Sequence, residues 1–311
     1  MSKKEALKEQ TNNRIISVME MKNPKIKALY ALIYSFIVIL CICAAVPILW
    51  TVVSATKDID EFYRIPPTII PQSFHPEKFL EAWKKFSFTK YYLNTAVIAL
   101  GYVVFSIICN GLMAYSLSRL KPKGYKLILT IFMWTMMVPG SLAAQMKNIV
   151  NFPILHINLI NTPWPLWIMA AGGPFTVIWF KGYFDTISSS IVESAKLDGA
   201  SNITIFMKII MPIAKPIILT QAIMTFNSAW QDYFWPMILL KEKDIQTIMV
   251  RVLAMQGSLA VDEQMVMLTL VMIPPIIFFI IIQKYLVGNM NEGGCSFSRE
   301  RIKFCAQTNK K

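Results

Sequence analysis

Few residues of this chain could act chemically, and none forms a covalent or metal centre. No G-x-x-x-x-G-K-[ST] loop occurs, so the chain cannot cradle a nucleotide phosphate, and H-E-x-x-H and G-x-S-x-G are equally missing. His75 and His156 stand alone, and the cysteines at 41, 43, 109, 295 and 305 include no C-x-x-C pair. The thiols therefore read as buried structural groups, and neither a catalytic residue nor a metal site is expected. What remains is non-covalent recognition by Asn94, Asn110, Asn227, Trp230 and Asp232, all within apolar stretches. The amides could line a path for a polar solute or bond a neighbouring helix. Trp230 and Trp235 could stack on a solute ring or sit in the membrane–water interface, where tryptophan is common. Asp232 could touch the solute. It falls roughly 29 Å along a helix from Ile213, at ~1.5 Å per residue, where a solvated carboxylate is also ordinary.

The elements that must hold these groups are apolar spans. The chain has 311 residues, 55% of them hydrophobic, and its mean hydropathy is +0.48. A soluble domain sits nearer 45–50% apolar, and six stretches approach the roughly 20 residues needed to cross a bilayer core. They run over 28–55, 91–118, 127–146, 164–180, 213–240 and 265–282. The expectation is an all-α polytopic membrane protein with six transmembrane helices. A polar segment, 1–27, would precede a transmembrane domain, 28–287, and a tail, 288–311, would follow it.

Charge sets the expected orientation. The net charge is +13, which in a soluble protein would raise nucleic acid as a partner. With the N-terminus inside, 21 of the 31 Lys+Arg and 8 of the 18 Asp+Glu fall on the inner side, leaving the outer side neutral. Cationic loops stay cytoplasmic, so both termini should be cytoplasmic in a multi-pass plasma-membrane protein, and no nucleic acid is needed.

One inner region, 182–216, is more than a connection. Ser190-x-x-Glu193 could form a capping box opening a helix whose apolar side is Ile191, Val192, Ala195 and Leu197. Gly199 suits a helix stop, and Ser201 or Asn202 could cap a second helix. That helix would carry Ile203, Phe206, Met207 and Ile210 as its apolar stripe. Pro212 and Pro216 lead into the fifth span.

Glu193-Ser194-Ala195, Gly199 and Ile209-x-Met211-Pro212 resemble the EAA loop of binding-protein-dependent ABC permeases, with the family spacing kept throughout. Ser194 and Met211 replace an alanine and a leucine of that pattern. Leu197-Asp198-Gly199-Ala200, Asn161-Thr162, Gly173-Pro174-Phe175 and the run from Trp230 to Pro236 further resemble the sugar-type, maltose-permease-like branch. The likeness covers roughly 45–287, and the tail departs from it.

The resemblance implies a type I ABC importer permease, non-catalytic itself. It also implies a second permease, two ATP-binding subunits carrying ATP and Mg, and an extracellular solute-binding protein. In such an importer Glu193, Ser194, Ala195, Asp198, Gly199, Ile209, Met211 and Pro212 would couple the chain to its ATPase, and no cofactor would be bound here. The rival readings are a stand-alone secondary transporter and a membrane-embedded lipid-modifying enzyme. The first would need ionisable residues in mid-membrane and the second an acid or histidine cluster near an interface, and neither pattern is visible.

Overall fold

The computed structural model describes residues 24–64, 68, 70–137, 146, 149 and 158–283. The expected segment up to residue 23, Pro139, His156 and the tail 288–311 lie outside them.

The described residues are helices and connections. They comprise α1 (Pro24–Ser54), α2 (Ile59–Phe62), α3 (Glu77–Lys85), α4 (Phe88–Leu120), α5 (Tyr125–Met137), α6 (Trp164–Ala171) and α7 (Pro174–Thr186). After these come α8 (Ser189–Leu197), α9 (Asn202–Ile213), α10 (Lys215–Gln231), α11 (Phe234–Leu239), α12 (Ile248–Met255) and α13 (Val261–Gln283). Among them α1, α4 and α13 are each long and apolar enough to cross a membrane alone, and α9 with α10 qualifies as a span bent by 82°. Of the third expected span, 127–146, α5 holds the residues up to Met137, and 138–145 lie outside the described residues. The fourth is broken into α6 and α7 at Gly172-Gly173, where Pro174 restarts the helix at its first turn and its missing N–H costs nothing.

The chain divides into two compact units, residues 1–78 with 261–266 and residues 79–260 with 267–311. In the first, α1 keeps its apolar side chains exposed, as a lipid-facing helix does. Beyond α1, Lys78 pairs with Asp58 at 3.4 Å and Asp262 at 3.0 Å, and donates to the Lys57 carbonyl at 2.7 Å.

In the second unit α4 is the axis, packed by α6, α7 and α10. Gly101 lets α6 approach, since a Cβ there would sit 2.0 Å from the Trp167 indole nitrogen. That nitrogen donates to the Ile98 carbonyl at 3.2 Å. Two cores cap the ends of α4. One gathers Tyr115, Phe180, Phe184, Ile205, Phe206 and Ile210, and the other gathers Ile98, Leu159, Leu166 and Leu239. Asn161 joins two loops at the second core. Its N–H donates to the Leu239 carbonyl at 2.8 Å, and its side-chain oxygen accepts from Lys241 N–H at 2.7 Å. Asn161 takes φ +60, a left-handed value that asparagine tolerates better than most residues.

Candidate functional site

Two places merit functional reading, and both lie within the second unit. The first is the helical pair α8–α9. Helix α8 stops at Gly199, which has φ +80. Gly199 N–H donates to the Lys196 carbonyl and Ala200 N–H to the Ala195 carbonyl, both at 3.0 Å, the paired bonds of a Schellman stop. Ser201 then caps α9, its hydroxyl accepting from Thr204 N–H at 3.2 Å.

The expected capping box does not form. The N-cap residue is Ser188, its hydroxyl 2.7 Å from that of Ser190, and no side chain caps the helix. Helix α8 thus starts at Ser189, the residue before Ser190. Glu193 sits five residues in, past the third position from which a side chain can reach back. It is exposed.

Both helices have a second apolar side. Val192 and Ala195 of α8, with Ile205, Phe206 and Ile210 of α9, are buried in the core that caps α4. Ile191 and Met207 are exposed, as are Leu197 at 89% and Ile203 at 70%, so the two expected stripes are split between core and surface. The motif residues divide the same way. Glu193, Ser194, Asp198, Gly199 and Pro212 face out, Ala195 faces in, and Ile209 and Met211 pack against the core.

The pair is fastened to the spans. Phe206 meets Tyr115 with ring centroids 5.4 Å apart, and a Cβ on Gly111 would come 3.3 Å from the Phe206 ring. Arg119 donates to the carbonyls of Phe184 and Ile187 at the end of α7, and Ser118 Oγ donates to Asp185 at 2.6 Å. Helix α9 runs into α10 across Ala214, which is fully buried.

The second place is a groove of mixed polar and apolar lining between α4, α6, α7 and α10, with Met169, Ala170, Phe175 and Met224 among its apolar residues. One part, about 510 Å³, is lined by Tyr102, Ser228, Gln231, Asp232 and Trp235. It continues past Tyr102 and Ser228 to Ser106, Thr176, Gln221 and Thr225. Gln221 Nε2 lies 3.1 Å from Ser106 Oγ, 3.1 Å from Thr176 Oγ1 and 2.8 Å from Thr225 Oγ1. An amide has two hydrogens, so it satisfies two of the three at a time. Asp232 Oδ1 accepts from Trp235 N–H at 3.3 Å, and Tyr102 lines the groove beside it.

Of the residues singled out from sequence, Asp232 lines this groove. Asn110 is fully buried behind it and closes the α6–α7 break. Its Nδ2 donates to the Ala170 carbonyl at 3.0 Å, and its Oδ1 accepts from Gly173 N–H at 3.1 Å. Asn94 holds a loop through the carbonyls of Asp244 at 2.8 Å and Gln246 at 3.2 Å. Asn227 is exposed and accepts from Gln231 at 2.9 Å. Trp230 is buried, stacked on Phe226 and donating to the Val271 carbonyl at 3.2 Å. Tyr102, Ser106, Thr176, Gln221, Ser228 and Gln231 were not anticipated. A signal existed on α10, where Gln221, Thr225, Ser228 and Asp232 recur at spacings of four, three and four, a polar stripe at helical period.

Known proteins are similar to this chain in sequence or in fold. The permease protein MalD of a maltodextrin transport system from Streptococcus pneumoniae is 30% identical over 269 residues, covering 85% of this chain and 94% of its own. The probable ABC transporter permease protein YurM of Bacillus subtilis is 29% identical over 266 residues, covering 84% and 87%. A crystal structure of a bacterial ABC transporter that imports the acidic polysaccharide alginate has a chain that superposes with a TM-score of 0.73 at 23% identity, over 85% of this chain and 98% of that one. The apolar helices are those of a multi-pass membrane protein. The profile of binding-protein-dependent transport system inner membrane components matches residues 103–292, which contain the helical pair and the groove's lining apart from Tyr102. The chain belongs to this family of inner membrane components.

Proposed function

We propose that the chain is one permease subunit of an ATP-driven importer for a sugar or oligosaccharide. It would form half of the translocation path with a second permease. An external solute-binding protein would deliver the solute, and two ATP-binding subunits would supply the energy with ATP and Mg. Glu193, Ser194, Asp198, Gly199 and Pro212 present a surface for the ATPase. Ala195, Ile209 and Met211 tie that surface to the spans. The observation that carries the reading is the α8–Gly199–α9 pair, whose outward side exposes Leu197 and Ile203 beside Glu193. Apolar side chains of that size on a polar face call for a partner cleft, with Glu193 placed to meet a basic group in it.

The saccharide reading draws on relatives named for maltodextrin and for galactooligosaccharide transport. A solved alginate importer was crystallised with its periplasmic protein bound to an alginate pentasaccharide. The groove suits such a solute through its hydroxyls, amides and Trp235. Asp232, Gln231, Ser228 and Gln221 are its contacts, with Asn94, Asn110, Asn227 and Trp230 holding the surrounding structure. The charge asymmetry of the sequence puts both termini and the helical pair in the cytoplasm.

The test is Glu193→Lys in the assembled importer. Uptake should fall while the chain still reaches the membrane and its spans remain folded. Unchanged uptake together with unchanged assembly would remove the coupling role.

A further inference from the structure

The shared fold does not decide which saccharides pass, because side chains set selectivity and the fold does not. A structural neighbour carries an acidic polysaccharide. The groove of this chain has a charge pattern unsuited to one. Among the described residues that line it, Asp232 alone carries a formal charge, and no Lys, Arg or His joins it. An anionic solute there would face a carboxylate with no cation among the described lining residues of this chain. Inside a membrane protein, an ionised group needs a partner that offsets its lost hydration.

An uncharged saccharide meets the opposite situation. The Asp232 carboxylate accepts from the Trp235 N–H at 3.3 Å. A carboxylate offers about four acceptor sites, so at least one stays open to a solute hydroxyl. Ser228 and Gln231 beside it can donate or accept, and Trp235 adds an aromatic surface.

We propose that Asp232 is a charge filter, making the groove selective for uncharged saccharides and against acidic ones. This rests on reading the groove as part of the solute path. Asp232 also has a structural duty, since it caps the turn into α11. Asparagine caps about as well as aspartate, so Asp232→Asn removes the charge and keeps the turn.

The experiment introduces Ser228→Cys, one helical turn before Asp232 and exposed in the groove. The assembled importer in membrane vesicles is treated with two methanethiosulfonates of similar size, the anionic sulfonatoethyl and the cationic trimethylammonioethyl reagents. Labelling of the new thiol is read against the parent chain, which carries the native cysteines. Asp232→Asn should raise the anion-to-cation rate ratio about tenfold, the factor a unit charge at roughly 6 Å imposes between opposite monovalent ions even at the dielectric of water. A change below about twofold would overturn the filter. The same thiol is labelled in nucleotide-free and vanadate-trapped complexes. Rates that differ between these states support the path reading. Rates that do not differ remove it, and the filter with it. A nucleotide-dependent rate with an unmoved charge ratio would sink the filter and leave the path.

Discussion

Gly199 offers the sharpest test of how the helical pair is built. Its φ of +80 lies where an L-residue with a Cβ is strained, yet among the described residues nothing lies within 4 Å of where that Cβ would stand. The cost of a substitution is therefore conformational and not a clash. For alanine it is about 1–2 kcal/mol, enough to shift the population of the correctly turned pair by roughly 5- to 30-fold. Valine should cost more, because its branched side chain crowds the backbone further. Asparagine should cost least, since it visits the left-handed region readily. The readout is solute uptake and binding-protein-stimulated ATP hydrolysis in the assembled importer, with the thermal midpoint of the purified chain as a control. The expected order of activity is Gly, then Asn, Ala and Val. If Asn were worse than Ala, side-chain volume against a partner surface would govern the site, and the backbone argument would be refuted.

Asn110→Leu removes both bonds across the α6–α7 break and orphans the Ala170 carbonyl and Gly173 N–H. These groups are half-buried at the groove wall, so each stranded one costs at most about 1–3 kcal/mol; the denaturation midpoint of the purified chain should fall, and Asn110→Asp should fall less because it still accepts from Gly173. His75 bridges Glu77 at 2.6 Å and Asp58 at 3.2 Å. Its hydrogen bond to Glu77, and then the charges of Asp58 and Glu77, raise its pKa above the ordinary 6.5 against a smaller opposing effect of desolvation and Lys78. The pKa of Asp58 is lowered chiefly by Ser73, and that of Glu77 chiefly by His75. A raised His75 pKa contributes order that is complete below 6.5 and fades as pH rises through the folded value. The lowered carboxylates contribute order that fades as pH falls through theirs. Protection of residues 57–78 against hydrogen exchange, relative to the intrinsic rate at each pH, should therefore be greatest between those limits, and His75→Gln should abolish the alkaline loss while sparing the acid one. Because all three groups are solvent-exposed, high salt should flatten the profile.

Local chemistry was legible in the sequence, and pairings between distant residues were not. Gly199 as a stop and Ser201 as a cap depend on neighbours within five residues, and both form. The capping box failed on frame, because the helix begins at Ser189 and strands Glu193 beyond reach. The apolar stripes of α8 and α9 failed for another reason. Periodicity finds apolar residues, but it cannot tell a side bound for the core, such as Val192 and Phe206, from one left outside, such as Leu197 and Ile203. The fourth span is short and contains Gly172, Gly173 and Pro174, and the structure breaks it there. That Asn110 closes the break could not be read, because the closure joins residues 63 apart in sequence. The groove was hidden similarly. Its polar stripe on α10 was present, but the stripe gains meaning only once Tyr102 and Thr176 arrive from other helices.

The two places share a mechanical element. Helix α10 starts at the end of α9, bends from it by 82°, and carries Gln221, Thr225 and Ser228 up to Asp232. At 17 residues it is roughly 25 Å long. A tilt of about 10° about the buried Ala214 would thus carry its Asp232 end roughly 4 Å, on the scale of the groove itself, by the same rise-per-residue geometry. The near end is poorly able to absorb that motion, because Phe206, Ile210 and Ala214 pack in one core with Tyr115 of α4 and Phe180 of α7. Close-packed interiors transmit strain and do not dissipate it. A push on the exposed side of α8–α9 should therefore move α10 more readily than it deforms the joint. If the proposed roles hold, the coupling surface and the solute contacts are opposite ends of one lever, and no relay between them is required.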